Sequence, residues 1–229
     1  MDIEQQWKNF QHTNKSNIIR HDDFDVNSVQ YVGGLDISFS KTDPNIACAY
    51  LTIYDIISLT IVHEEYKLCK LTIPYISGFL GFREVPEYKK LLKRIIGKPF
   101  YPQVLLVDGF GILHHREFGS ASHLGFITGI PTIGVGKTLL VIDGLNERVI
   151  REEFKNKCVK SGDYHYLAGS SGKIWGAALK STDDTFNPIY VTIGHKISLE
   201  TALYIVIKCC KYRIPEPIRN SDIKSKLYL

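Results

Sequence analysis

Asp36 closes an apolar stretch in GGLDIS, Asp108 closes another in LLVDGFG, and Glu84 sits between them in GFREVP. If the two stretches are neighbouring strands, their carboxylates meet at one end of a sheet, the edge where open α/β sheets bind ligands. Glu84, expected just before a helix, is close enough to swing in a third acid. Three gathered carboxylates repel one another unless a cation holds them together. Hard oxygen ligands of this kind favour Mg2+, with Mn2+ as a substitute, and Mg2+ keeps several waters and completes its shell with phosphate oxygens. The chemistry is then metal-assisted phosphoryl transfer, which stabilises charge on the attacking and leaving oxygens and needs no protein nucleophile. An Asp at a strand end also serves as a turn or helix-capping residue, and on residue types alone that alternative stays open.

Positioning these acids requires a sheet, and the hydrophobic pattern predicts one. Runs rich in Val, Ile, Tyr and Thr predict strands over 29–36, 46–54 and 57–68, with a hairpin break at Asp55. The spacing of Leu91, Leu92, Ile95 and Ile96 predicts a helix over 85–96, with Pro86 in its first turn and Gly97 just beyond its end. Residues 103–108 form a continuous apolar run closed by Asp108 and Gly109, the pattern of a strand covered on both faces. A helix over 121–128, strands over 132–135, 174–179 and 189–193, and a closing helix over 199–211 follow. An opening helix over about 3–12 carries Trp7 and Phe10 on one face. An antiparallel three-strand start followed by alternating strands and helices is an α/β fold with a central mixed β-sheet flanked by helices. Without internal repeats, low-complexity tracts or a long linker, one domain over 1–229 is expected, with an N-terminal helix over about 1–14 and a basic tail over about 212–229.

Composition sets the class. Hydrophobic residues make up 44% and charged residues 23%, the balance of a folded globular chain. The opening MDIEQQWKNFQH has neither a basic start nor an apolar segment, and no apolar run approaches the roughly 20 residues that span a bilayer. Neither secretion nor a membrane partner is expected; a cytoplasmic or nuclear location, the nucleolus included, is. Five cysteines, odd in number and without a Cys-x-x-Cys pair, suggest neither a disulfide framework nor a zinc site. Cys209 and Cys210 fit small buried thiols in an apolar helix, with a redox role as the alternative. A net charge of +4 permits nucleic-acid binding without demanding it. The basic run KCCKYRIPEPIRNSDIKSK reads as a solvated tail, phosphate contact being the alternative.

Six segments in order carry a resemblance to endonuclease V: GLDIS at 34–38, PYISGFLGFREVP at 74–86, LLVDGFGILHHREFGSASHLG at 105–125, IPTIGVGK at 130–137, IGHKISLETA at 193–202 and RIPEPIRNSD at 213–222. The resemblance implies a ribonuclease H-like fold, Asp36 and Asp108 as metal ligands, and Glu84 as the third acid, positioning metal or water. It makes PYIS a wedge in which Tyr75, flanked by Pro74 and Ile76, presses its ring into the place a target base vacates. Stacking of that kind is worth roughly 1–3 kcal/mol and tolerates sequence. Gly78, Leu80 and Gly81 in GFLG would line a backbone-walled pocket for a flipped hypoxanthine, closed on the other side by Gly109 to Gly111. A tight pocket excludes guanine by filling the space its amine needs, and adenine by mismatched donors and acceptors. Lys137 matches a family lysine that would offset charge near the scissile phosphate. His195 ends a strand with either a catalytic or a capping role, Asp222 would approach the acids from the tail, and His114 and His115 are expected in an exposed loop without assigned chemistry.

The implied function is a metal-dependent endonuclease cutting single-stranded inosine-containing RNA, and deaminated DNA, at the second phosphodiester 3′ to inosine, leaving a 3′-hydroxyl and a 5′-phosphate. The wedge reads PYIS where bacterial members commonly have PYIP, and GFLGFREVP and RIPEPIR resemble the eukaryotic branch, which acts preferentially on RNA. The chain is expected to act as a monomer. Two alternatives remain: another ribonuclease H-like nuclease such as a junction resolvase, and an inosine-binding protein without turnover.

Overall fold

The computed structural model describes residues 2–43 and 45–229. After helix α1 (Ile3–Asn14), strands β1 (Tyr31–Phe39), β2 (Ile46–Asp55) and β3 (Thr60–Lys70) form the expected antiparallel start. Helix α2 (Leu80–Arg94), β4 (Val104–Asp108), α3 (Ser120–Thr128) and β5 (Thr132–Gly136) follow, then α4 (Glu147–Lys157), β6 (Tyr164–Ala168), β7 (Ile174–Leu179), β8 (Ile189–His195), α5 (Leu199–Lys208) and α6 (Glu216–Ser225). The strands build one eight-stranded sheet in the order β3-β2-β1-β4-β5-β8-β7-β6. β1, β4 and β5 run parallel at its centre and the other pairings are antiparallel, so the sheet is mixed.

The continuous apolar run of β4 is explained by its two covered faces. Val104 and Leu106 join one core with Ala202, Leu203 and Val206 of α5 and Ile218 of α6, while Leu105 and Val107 join a second with Val85, Tyr88, Leu91 and Leu92 of α2. No helix among the described residues is long and apolar enough to cross a membrane.

Several expectations need correction. β1 runs on to Phe39, so Asp36 lies inside the strand rather than closing it, because Ile37 and Ser38 are also buried and paired to β2. α2 begins at Leu80 rather than at residue 85, so the exposed Pro86 lies inside the helix and Glu84 one turn into it. Trp7 stacks on Phe82 at 4.9 Å and packs on Phe79 at 5.5 Å, and this aromatic burial supports a first turn that a reading based on proline placement leaves out. The basic tail is not a free solvated run, because residues 216–225 are α6. α4, with Ile150 and Phe154 buried over Trp175, and edge strand β6 are also absent from the sequence pattern.

Candidate active site

The register of the central strands brings the acids together. Leu35 of β1 pairs with Val107 of β4, so the next residues along these parallel strands, Asp36 and Asp108, lie side by side. Glu84 enters from α2, buried, with its Oε2 accepting a hydrogen bond from Ser120 Oγ at 3.2 Å. Asp222 arrives from α6, which the sheet seats unusually close. At Gly34 a side chain would overlap the backbone of Pro217, so only glycine admits the helix there. Ser221 Oγ then donates to the Gly34 carbonyl at 2.9 Å and lies 2.8 Å from Thr52 Oγ1, and Ser225 Oγ lies 2.7 Å from Ser38 Oγ.

Charge at this centre is unbalanced toward the carboxylates. Burial, then the neighbouring Asp108 and Asp222, push Asp36 up to about 8, and burial followed by Asp36 pushes Glu84 up to about 8. Asp222 is held below the usual carboxylate range: its burial is outweighed by the Lys226 hydrogen bond and the Lys137 charge. Lys137 Nζ lies 2.5 Å from Asp108 Oδ2, and although burial opposes it, this pairing raises the lysine's proton affinity. One buried oxygen, Asp36 Oδ2, has no hydrogen-bond partner. A buried carboxylate oxygen among like charges takes up either a proton or a hard divalent cation. Among the described residues no three His, Cys, Asp or Glu side chains converge closely enough to enclose an ion unaided. Asp36 and Asp108, supported by Glu84, would therefore supply part of a shell whose remainder is water and phosphate oxygen.

A cavity of about 470 Å³ opens beside Asp108, and its lining includes Tyr75, Gly78, Leu80, Gly81, Gly109 and Lys137. Tyr75 is 66% exposed on the loop ahead of α2, the placement a wedge requires. Gly78 and Gly109 have φ of +80° and +145°, a backbone that side-chain-bearing residues rarely adopt. Pro74 and Ile76 flank the wedge without lining the cavity, and neither does Gly111, where a side chain would overlap the Ile193 carbonyl. Gly111 instead permits the close approach of its loop to β8.

His195 is not brought to this site. It pairs with Thr132 at the start of β5, whereas Asp108 pairs with Val135 near the strand's other end. Its buried ring accepts a hydrogen bond from the Ile19 amide at 3.3 Å, which ties it to the segment after α1. His114 is buried rather than exposed, and burial, then Arg116 and His115, pull it down to about 4. Its neutral Nε2 donates to the Gly78 carbonyl at 3.1 Å, while Nδ1 accepts from the Arg116 amide at 3.2 Å. The same Gly78 carbonyl accepts from Arg116 Nη2 at 2.7 Å and from Gln11 Nε2 at 3.1 Å. Sequence reading passes over Gln11, although a glutamine spaced with Trp7 and Phe10 on the apolar face of α1 was a usable signal. Ser120 carried none. Cys209 and Cys210 are free thiols, Cys209 fully buried and pushed up to about 12 by that burial, which suits packing rather than redox chemistry.

The endonuclease V family profile matches residues 12–223. Human endonuclease V is 42% identical over 231 residues, covering 97% of this chain and 82% of the human protein. The crystal structure of the human catalytic domain superposes with a TM-score of 0.94 at 41% identity, covering 100% of this chain and 97% of that one. A Ciona intestinalis endonuclease V, solved in complex with a 23-mer DNA containing an inosine followed by a ribo-adenosine, superposes with a TM-score of 0.93 at 35% identity, covering 100% and 98%. With the acids, the exposed Tyr75 and the glycine-lined cavity in one place and these likenesses along the chain, the protein belongs to the endonuclease V family, metal-dependent endonucleases that hydrolyse phosphodiester bonds.

Proposed function

We propose that this protein cuts single-stranded inosine-containing nucleic acid, RNA in preference to DNA, at the second phosphodiester 3′ to the inosine. The observation that carries this reading is the shared wall: Asp108 belongs both to the acidic centre and to the glycine-lined cavity, so a base held in one fixes the strand in the other. Inosine as the base is supported by the DNA bound to the Ciona relative. Preference for RNA is supported by the PYIS, GFLGFREVP and RIPEPIR segments.

Mg2+ is the cation best suited to the site, because it accepts a shell only partly made of protein oxygen. Bound there, it would stabilise charge on the scissile phosphate and lower the pKa of the attacking water. The chain's own groups do the rest. Tyr75 fills the gap left by the flipped base, and Gly78, Gly81 and Gly109 let backbone approach that base closely. Lys137, paired with Asp108, offsets phosphate charge. Glu84, fixed at Oε2 by Ser120, orients the attacking water with its other oxygen.

Labelled strands that differ only in inosine or guanosine, as RNA and as DNA, test this with Mg2+ present. The expected product is a cut at the second 3′ linkage of the inosine strand with 3′-hydroxyl and 5′-phosphate ends, faster in RNA. A 2′,3′-cyclic phosphate, or release of free hypoxanthine from an intact strand, overturns it.

A further inference from the structure

A second cavity, of about 780 Å³, opens on the other side of the acidic centre. Asp36, Asp108 and Asp222 border it, and Phe39, Lys41 and Lys226 line its outer part. It shares Asp108 with the base cavity, so the two flank one metal-binding edge. We propose that this cavity seats the nucleotide immediately 3′ of the cut, its base stacked on Phe39 and the phosphate on its 3′ side engaged by Lys41. The assignment rests on the reading above that inosine lies on the 5′ side of the scissile bond, because a strand crossing from the base cavity over the acids must continue into this one.

Three features select a nucleotide over a generic apolar ligand. Phe39 ends β1 and is 37% exposed, while the Arg83 guanidinium lies 4.6 Å from its ring centroid and braces it from α2. Lys41, two residues on, is exposed and has no ion-pair partner among the described residues, whereas Lys226 is held by Asp222 at 2.8 Å. The carboxylates at the inner end would repel a polyanion wherever a metal does not compensate them, so a free cation at the outer end gives the next phosphate of the strand a partner beyond the metal's reach. An aromatic platform beside a cation is the arrangement that single-strand binders use for sequence-tolerant grip.

The test uses inosine RNA with either a normal or an abasic residue at the first position 3′ of the cut. For the unaltered enzyme, removing that base should lower kcat/KM on the order of tenfold, the effect of one stacked base. Phe39→Ala should lose a similar factor on the normal strand and nothing further on the abasic one, and Phe39→Tyr should restore the difference. Lys41→Ala should weaken both substrates and reduce the salt slope of binding by about one ion. An unaltered enzyme that cuts at the expected linkage but ignores the abasic residue overturns this assignment alone, as does Phe39→Ala that still responds to it. An enzyme that cuts elsewhere overturns both this assignment and the cleavage reading.

Discussion

The wall of the base cavity and the acidic centre meet at Asp108, yet they are built on opposite terms. In the wall, one carbonyl, that of Gly78, takes hydrogen bonds from Gln11, His114 and Arg116, drawn from two distant stretches of chain. In the centre, one carboxylate oxygen, Oδ2 of Asp36, is buried with no hydrogen-bond donor among the described residues, facing other carboxylates instead. A wall held this firmly suits the proposed discrimination between bases that differ by an amine, which needs a pocket that does not yield. The centre is left unsatisfied because its missing partner is a cation, and a site already satisfied by protein donors would have no affinity left for one.

Removing one acid should break the comparison most severely. Asp36→Asn keeps the shape but takes away a charge the cation needs, and turnover should fall at least about a thousandfold, the several kcal/mol a metal supplies to a phosphoryl transition state. The metal-free variant should melt above the unaltered protein at alkaline pH, where Asp36 is ionised and its buried repulsion counts. Single-turnover rates at saturating Mg2+ and paired melting curves check both; undiminished turnover would remove Asp36 from the site.

Weakening the wall should cost less and show elsewhere. Gln11→Ala keeps a good helix former in α1 while deleting the donor to the Gly78 and Phe118 carbonyls. A lost hydrogen bond of about 0.5–1.5 kcal/mol predicts a KM for inosine RNA roughly threefold to tenfold higher with kcat nearly unchanged. A fall in kcat with KM constant would show that the wall serves the chemistry rather than the base.

The smallest effect is on stability against pH in the absence of metal. Asp36 and Glu84 bind protons more tightly folded, at about 8, than in the unfolded chain, where they titrate in the ordinary carboxylate range. The folded state therefore holds more protons between those limits, and stability falls as pH rises from about 4 to about 8. Melting in a chelating buffer should drop by several degrees over that span. Mg2+ should raise the melting temperature more at the alkaline end, and Asp36→Asn should flatten the slope. A profile unchanged by that substitution would mean that Asp36 is not the group being titrated.

Much of the centre was legible in sequence because an acid set in an apolar run stands out. Asp108 ends β4, whereas Asp36 lies inside β1, which runs on to Phe39, and parallel pairing of the two strands places the acids together without help from distant chain. The start of α2 was hidden by Pro86, whose usual place in a first turn was overruled by Trp7 packing on Phe82. α6 was hidden by its charge: its buried face is small and polar, Ser221 and Ser225 among it, and carries little hydrophobic period. His195 drew attention because it ends a strand, but β8 runs antiparallel to β5 and so ends at the wrong edge of the sheet. Strand direction cannot be read from strand composition.

The seat of α6 on Gly34 links two distant parts of the chain. Ser221 reaches back 187 positions to the Gly34 carbonyl, and the same helix carries Asp222 to the acids. A polypeptide that has folded its sheet and base cavity but not yet docked this helix holds an inosine pocket beside an incomplete acidic centre. Completion of the centre thus coincides with a long-range closure of the fold, so the same docking that seats α6 also supplies Asp222.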